Sequence, residues 1–186
     1  RKDMVEAHNR AVEETLNEIE KREIGARITK DGTTEHIKTG NMLCGKFNHY
    51  VSRNNDPQLH THAVILNQTE YNNKLYAVDN GDLYKNKILY GQIYRNKLSA
   101  ELMQRGYDVE CTDKEKGFFE LKDIKEEIRE CFSTRRKEIV EAMKLYEKFS
   151  PEHAALAAIK TRAAKTHKDM NELTSSWKET VNEMGG

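Results

Sequence analysis

Three histidines, His49, His60 and His62, lie on either side of a cluster of turn-forming residues, Asn-Asn-Asp-Pro at 54–57. Successive side chains of a β-strand point to opposite faces, so His60 and His62 are expected on the same face of one strand. Residues 43–51 have the pattern of the upstream strand of a hairpin that turns near residue 55. In that hairpin His49 lies opposite the segment that carries the other two histidines, and the three imidazoles converge.

Three converging imidazoles are typical of a metal site. Structural metal sites are usually closed by four protein ligands, whereas a set of three leaves coordination positions open, as in catalytic sites. Imidazole suits Zn, Mn, Ni or Cu better than Ca. The cofactor expected is a divalent ion, Mg, Mn or Zn, whose identity the sequence does not specify. The remaining histidines are scattered and receive no role: His8, His36, His153 and His167.

The hydrophobic periodicity predicts an α+β fold, an antiparallel sheet with a metal-binding hairpin, flanked by helices and followed by an all-helical C-terminal segment. Residues 1–122 are expected to form the core and residues 123–186 the helical part of the same domain. The predicted elements are a helix over 2–23, a hairpin about Asp31-Gly32, the metal hairpin over 42–70, a turn at 71–74, a helix over 81–105, a hairpin over 107–121, and helices from about 123.

Composition narrows the function classes. The chain has 186 residues with 31 Lys plus Arg and 31 Asp plus Glu, so its formal net charge of zero argues against a generally basic DNA-coating protein. Three cysteines without CxxC spacing indicate reduced thiols and a cytoplasmic location. No apolar run has the length of a membrane span. A helical pattern is already under way at Arg1 without a preceding N-cap, so we expect a fragment of a longer protein.

The residues around the histidines resemble a known signature. Phe47-Asn48-His49, Ser52-Arg53 and the stretch Asp-Pro-Gln-Leu-His-Thr-His-Ala-Val at 56–64 together resemble the metal-binding motif of bacterial conjugative relaxases of the relaxase–helicase (MobF) family. These are histidine–hydrophobe–histidine (HUH) endonucleases, although Thr61 stands here between the last two histidines. The stretches 7–12, 94–98 and 106–109 also resemble that family.

The resemblance implies a reaction and partners. A tyrosine of the relaxase attacks a phosphate of single-stranded DNA at a plasmid transfer origin and forms a 5′-phosphotyrosine. The metal held by His49, His60 and His62 polarises that phosphate. In the family the tyrosine and an aspartate proposed as general base precede the histidines, so both are expected upstream of Arg1 and no catalytic residue is assigned to this chain. The expected partners are transfer-origin DNA, the missing N-terminal segment and a C-terminal helicase.

A second interpretation places the nucleophile within the chain. Related replication initiators carry their tyrosine downstream of the histidines, often as YxxxY or YxxK, and Tyr90, Tyr94 and Lys97 satisfy both spacings. The same tyrosines continue the apolar stripe of Ile93 and Leu98, which favours packing. Two further function classes stay open. One is an inactive DNA-binding remnant. The other is a three-histidine metalloenzyme unrelated to DNA, which leaves the resemblance at 94–95 and 106–107 unexplained.

DNA contacts are expected at basic residues near the predicted site. Arg53 lies beside the hairpin turn, and Lys87, Arg95 and Lys97 lie on the predicted 81–105 helix, which resembles the helix lining the DNA groove in relaxases. Charged residues on helices more often form a solvated face. If these four bind phosphates, affinity for single-stranded DNA should fall steeply with salt.

Overall fold

The structure is a computed structural model that describes residues 2–144, 150–161 and 168–185. The helices are α1 (Lys2–Glu23), α2 (Gly81–Lys85), α3 (Lys87–Gln104), α4 (Glu126–Cys131), α5 (Thr134–Met143), α6 (Pro151–Lys160) and α7 (Met170–Glu183). The strands are β1 (Gly25–Lys30), β2 (Thr33–Lys38), β3 (Cys44–Val51), β4 (Pro57–Ile65), β5 (Thr69–Tyr71), β6 (Lys74–Tyr76), β7 (Val109–Asp113) and β8 (Phe118–Leu121).

The strands pair as neighbours in sequence, β1 with β2, β3 with β4, β5 with β6 and β7 with β8. Two of the turns have the backbone of tight hairpins, since φ is positive at Asp31 and Gly32 (51° and 79°) and at Asn72 and Asn73 (49° and 60°). The α+β class is therefore confirmed. The predicted antiparallel strands form small two-stranded sheets, each made of two strands that are neighbours in sequence.

The predicted helices are largely confirmed, with one break. α1 has the expected bounds, whereas the helix expected over 81–105 is interrupted at Asn86. Asn86 has φ −92° and ψ 8°, in the bridge region, and its side-chain amide donates a 2.9 Å hydrogen bond to Glu23 Oε1. Gly106 follows α3 with φ 85°, as expected for a residue that ends a helix.

The chain divides into two compact units. The first comprises Arg1–Asn48 and His60–Asp123, and the second His49–Leu59 and Ile124–Gly186. In the first unit α1 packs against α3, and Ala7 and Ala11 are fully buried on α1. Small side chains let two helix backbones approach closely. The core of this unit is an apolar cluster of buried residues, Leu16, Ile19, Ile24 and Tyr90.

The second unit joins the tip of the β3–β4 hairpin to C-terminal helices. Trp177 Nε1 donates to the carbonyl of Asn55 at 2.9 Å. Asp56 is buried and accepts hydrogen bonds from Oγ1 and the backbone N–H of Thr134, at 2.9 and 3.2 Å, at the start of α5. These contacts explain why residues 49–59 belong with the C-terminal helices. The division into a core over 1–122 and a helical part over 123–186 stays a prediction.

The N-terminus of α6 is capped. The hydroxyl of Ser150 accepts a hydrogen bond from the backbone N–H of His153 at 3.2 Å, which is an N-cap. Among the described helices, none is both long and apolar enough to cross a membrane.

Candidate metal centre and its polar support

Two of the three predicted metal ligands lie together on β4. The rings of His60 and His62 have centroids 5.1 Å apart with an interplanar angle of 74°. His60 is half-buried and His62 is exposed, so this side of the strand is accessible from solvent. The alternation of the strand places Thr61 on the opposite face. The shared face predicted for the two histidines is thus present.

The spacing of the two rings suits a shared ion. A metal–nitrogen bond of about 2.1 Å places each ring centre roughly 3.2 Å from the ion, so two ligands at a tetrahedral angle have ring centres roughly 5 Å apart. The donor set is imidazole, which suits divalent transition metals. Within the described ranges no group of three or more His, Cys, Asp or Glu side chains is arranged to hold a metal. His49 belongs to the second unit, and its place in a three-ligand set stays a prediction.

A buried histidine supports the segment between the two ligands. His8 on α1 is only 3% exposed, and its two ring nitrogens each have a partner. Nε2 lies 2.7 Å from Thr61 Oγ1, and Nδ1 lies 2.7 Å from the hydroxyl of Tyr94 on α3. The rings of His8 and Tyr94 meet edge to face with centroids 5.7 Å apart. A buried imidazole is costly unless both nitrogens are satisfied, and here both are.

The network has one consistent proton arrangement. Thr61 donates its hydroxyl hydrogen to Asn48 Oδ1 at 2.7 Å, so it can only accept from His8, whose proton is therefore on Nε2. His8 Nδ1 then accepts from Tyr94. The amide of Asn48 in turn donates to Asn9 Oδ1 at 2.8 Å. This arrangement requires neutral His8. Burial, and to a lesser extent the charge of His60, lower the pKa of His8 and so favour that form.

The two tyrosines of the alternative interpretation are both engaged within the first unit. Tyr90 is 5% exposed, and its hydroxyl donates to Glu23 Oε1 at 2.6 Å. Burial and, secondarily, that hydrogen bond raise the pKa of Tyr90 far above its usual value. Burial also raises the pKa of Tyr94. The raised pKa of Tyr94 and the lowered pKa of His8 both oppose proton transfer from Tyr94 to His8. These surroundings favour packing over a nucleophilic role.

The basic residues predicted to bind DNA differ in their surroundings. Arg95 donates to the carbonyl of Lys116 from Nε and Nη2, at 3.0 and 2.6 Å, and lies 4.6 Å over the ring of Phe118. Lys97 forms a 2.7 Å ion pair with Glu14, and the hydrogen bond to Glu14 raises its pKa. Both side chains thus hold elements of the first unit together.

The other two basic candidates lie elsewhere. Lys87 is exposed at the first position of α3, and Arg53 is half-buried in the hairpin turn of the second unit. The assignment of all four to DNA binding stays a prediction.

Sequence reasoning missed His8 and the polar face of Thr61. His8 occupies the apolar stripe of α1 together with Val12 and Leu16, and that position was the available signal. A histidine on a buried helix face requires hydrogen-bond partners. Its partners are 53 and 86 residues away along the chain, so no local pattern could have named them.

Comparison with known proteins identifies the class of protein to which the chain belongs. The sequence model of the TrwC relaxase family matches residues 1–184 of the chain. The chain therefore belongs to the TrwC relaxase family, and the resemblance to relaxases that the motif predicted is confirmed.

Particular relatives support this assignment. The chain is 33% identical over 193 residues to the multifunctional conjugation protein TraI of Escherichia coli strain K12, covering 99% of this chain and 11% of that protein. It is 36% identical to the conjugative relaxase TrwC in a metal-free complex with oriT DNA, with a TM-score of 0.93, covering all of this chain and 66% of the other. A copper-bound TrwC complex with oriT DNA matches with a TM-score of 0.92 and 64% coverage of that chain.

The chain spans about two thirds of the TrwC chains and about a tenth of TraI. TrwC has been solved with metal and without it. A divalent metal is therefore the cofactor that these relatives support.

Proposed function

We propose that this chain is the metal-binding and DNA-contacting part of a conjugative relaxase that acts on single-stranded DNA at a plasmid transfer origin. The observation that carries the proposal is the pair of imidazoles of His60 and His62, facing one side of β4 at the spacing of a shared ion. Its support is the likeness over the whole chain to TrwC in complex with oriT DNA. We place the activity in the bacterial cytoplasm, where plasmid DNA resides.

His49, His60 and His62 would hold the metal in this proposal. When bound, the ion supplies Lewis-acid polarisation of the scissile phosphate, and three neutral imidazoles leave coordination positions for phosphate oxygens. The chain's own residues shape the site: α1 and α3 support β4 through His8. A magnesium, manganese or zinc ion is consistent with the proposal.

We further propose that neither Tyr90 nor Tyr94 is the nucleophile. A phenol that attacks phosphate must lose its proton, and the pKa of each hydroxyl is raised. The nucleophilic tyrosine and the general base would then come from relaxase sequence outside this chain, as the family resemblance implies. A helicase joined to the same relaxase is the further partner expected.

The first test is complementation in trans. The chain is mixed with a separately purified N-terminal segment of a related relaxase, Mn²⁺ and an end-labelled oligonucleotide of that relaxase's transfer origin. We expect strand cleavage and a protein–DNA adduct on the added segment only. An adduct on this chain that disappears in Tyr94→Phe would overturn the assignment of the nucleophile. Cleavage that is unaffected by His60→Ala would contradict the metal role.

DNA binding is tested separately by fluorescence anisotropy with a labelled single-stranded oligonucleotide. Phosphate contacts release counterions, so the dissociation constant should rise steeply as salt increases. Arg53→Ala and Lys87→Ala should each reduce the slope of affinity against salt by about one contact. Affinity that is independent of salt would contradict a phosphate-binding surface.

A further inference from the structure

We propose that His8 and Thr61 are positioning residues for the metal centre. In this inference, which rests on the proposed function, the polar chain from Tyr94 through His8 to Thr61 fixes the one residue that separates His60 from His62. The geometry that carries it is the pair of 2.7 Å contacts made by the His8 ring, one to each neighbouring element.

Thr61 is well placed to control both ligands. It is covalently joined to His60 and His62, and its side chain leaves the other face of β4. Its hydroxyl is held from two directions, by His8 Nε2 and by Asn48 Oδ1, each at 2.7 Å. A β-branched side chain also has few χ1 rotamers, so fixing the hydroxyl fixes the rotamer and the local backbone.

His8 and Tyr94, at the other end of this series of hydrogen bonds, lie in the packed helices of the first unit. His8 lies between the fully buried Ala7 and the well-packed stripe of α1, with only 3% of its surface exposed. Tyr94 is one turn after Tyr90 on α3, a helix that packs on α1. The ligand strand is therefore tied to the packed helices of the first unit by side chains whose hydrogen-bonding groups are satisfied. Partners behind metal ligands that fix ligand orientation commonly change metal affinity when they are removed.

A second hydrogen bond between α1 and α3, from Tyr90 to Glu23, provides a control for the role of His8. Tyr90 donates to Glu23 at 2.6 Å, and Glu23 also accepts from Asn86, so this contact ends within α1, α3 and the residue before α3. Tyr90 and Glu23 are each 5% exposed, and their hydrogen bond joins α3 to α1. A variant that breaks it should destabilise the fold without changing the metal site.

The test measures Mn²⁺ and Zn²⁺ affinity of the whole chain by isothermal titration calorimetry, alongside urea unfolding without metal. The variants are Thr61→Val, which keeps the shape and removes both hydrogen bonds, Thr61→Ser, which keeps the hydroxyl, and Tyr90→Phe. We expect roughly tenfold weaker binding in Thr61→Val, with affinity recovered in Thr61→Ser and unchanged in Tyr90→Phe. His8→Phe, which keeps a ring and removes both nitrogens, should resemble Thr61→Val.

The outcomes separate the two proposals. If the unaltered chain binds metal and Thr61→Val and His8→Phe bind it equally well, the positioning role is overturned and the proposed function stands. If affinity falls in all variants in proportion to lost stability, Tyr90→Phe included, the positioning role is likewise overturned. If the unaltered chain takes up no metal, both proposals fail.

A spectroscopic measurement tests the network without metal. Long-range ¹H–¹⁵N NMR spectra of the histidine side chains should show His8 neutral with its proton on Nε2, and that signal should change in both Tyr94→Phe and Thr61→Val. A charged His8, or a proton on Nδ1, at neutral pH would overturn the proposed arrangement.

Discussion

Two tyrosines on α3, one helical turn apart, make contacts of the same kind with α1, and their consequences differ. Tyr90 donates to Glu23 near the end of α1, and Tyr94 donates to His8 near its beginning. Glu23 also accepts a hydrogen bond from Asn86, where the helical region is interrupted. His8 passes its contact on to Thr61, between two predicted metal ligands.

The strength and burial of a hydrogen bond do not by themselves reveal its role. Both contacts satisfy polar groups that would otherwise be costly to bury. The difference lies in what the second partner touches. The second partner of Glu23 is Asn86, in the helical framework, so breaking the Tyr90–Glu23 contact should change stability only. At His8 it is the ligand strand, which predicts an effect on the site as well.

The largest expected effect is on the framework contact. Glu23→Ala removes the acceptor of both Tyr90 and Asn86 in a buried setting, which should cost about 3 kcal/mol of unfolding free energy because hydrogen bonds to a charged acceptor are the stronger ones. Urea unfolding measures the loss. The matched control is Glu18→Ala, which breaks a surface ion pair with Arg22 and should cost far less, because exposed pairs contribute little. Equal losses in the two variants would contradict the comparison.

The free energy of unfolding should depend on alkaline pH through Tyr90 and Tyr94. The pKa of Tyr90 is raised by burial and by Glu23, and the pKa of Tyr94 by burial. Above the ordinary tyrosine pKa of about 10 the unfolded chain loses protons that the folded chain keeps, so stability falls as the pH rises. The stabilising contribution is complete below that pH and is lost through the raised pKa.

The measurement is urea unfolding between pH 8 and pH 11, values chosen to bracket the ordinary tyrosine pKa of about 10. Tyr90→Phe should flatten the alkaline loss most, Tyr94→Phe less, and the exposed Tyr84→Phe not at all. A profile for Tyr90→Phe that is as steep as that of the unaltered chain would show that its hydroxyl is not held as described.

The smallest effect concerns the basic side chains around Tyr94. Lys97 is paired with Glu14, and Lys87 is exposed at the start of α3. We therefore expect Lys87→Ala to weaken binding of a labelled single-stranded oligonucleotide by a few-fold at low salt, and Lys97→Ala to change it less. The reverse order would mean that Lys97 leaves Glu14 for DNA and that this part of α3 is less fixed than the comparison assumes.

Local patterns predicted most of the elements, and long-range contacts account for what they missed. The apolar stripe of α1 and the Asp31-Gly32 turn are local signals, and both were confirmed. The break at Asn86 was missed, and its side chain bonds Glu23, which is distant in sequence. Periodicity identified the strands, whereas their pairing into two-stranded sheets is seen only in the folded chain.

The site shows the same limit. The spacing of His60 and His62 predicted their shared face, since alternation along a strand is a local property. The roles of His8 and Thr61 could not be read locally, because each depends on a partner on another element. Arg95 and Lys97 were predicted to bind DNA from charge alone, and their contacts to Lys116 and Glu14 arise only in the folded chain.

The imidazoles on the β3–β4 hairpin are proposed to bind one divalent ion. Calorimetric titration of Mn²⁺ or Zn²⁺ into the whole chain should show one ion per chain, with uptake lost in His49→Ala, His60→Ala and His62→Ala. His36→Ala, which removes an exposed histidine paired with Asp79, should leave uptake unchanged. Uptake that persists in His60→Ala and His62→Ala, or no uptake by the unaltered chain, would contradict the account.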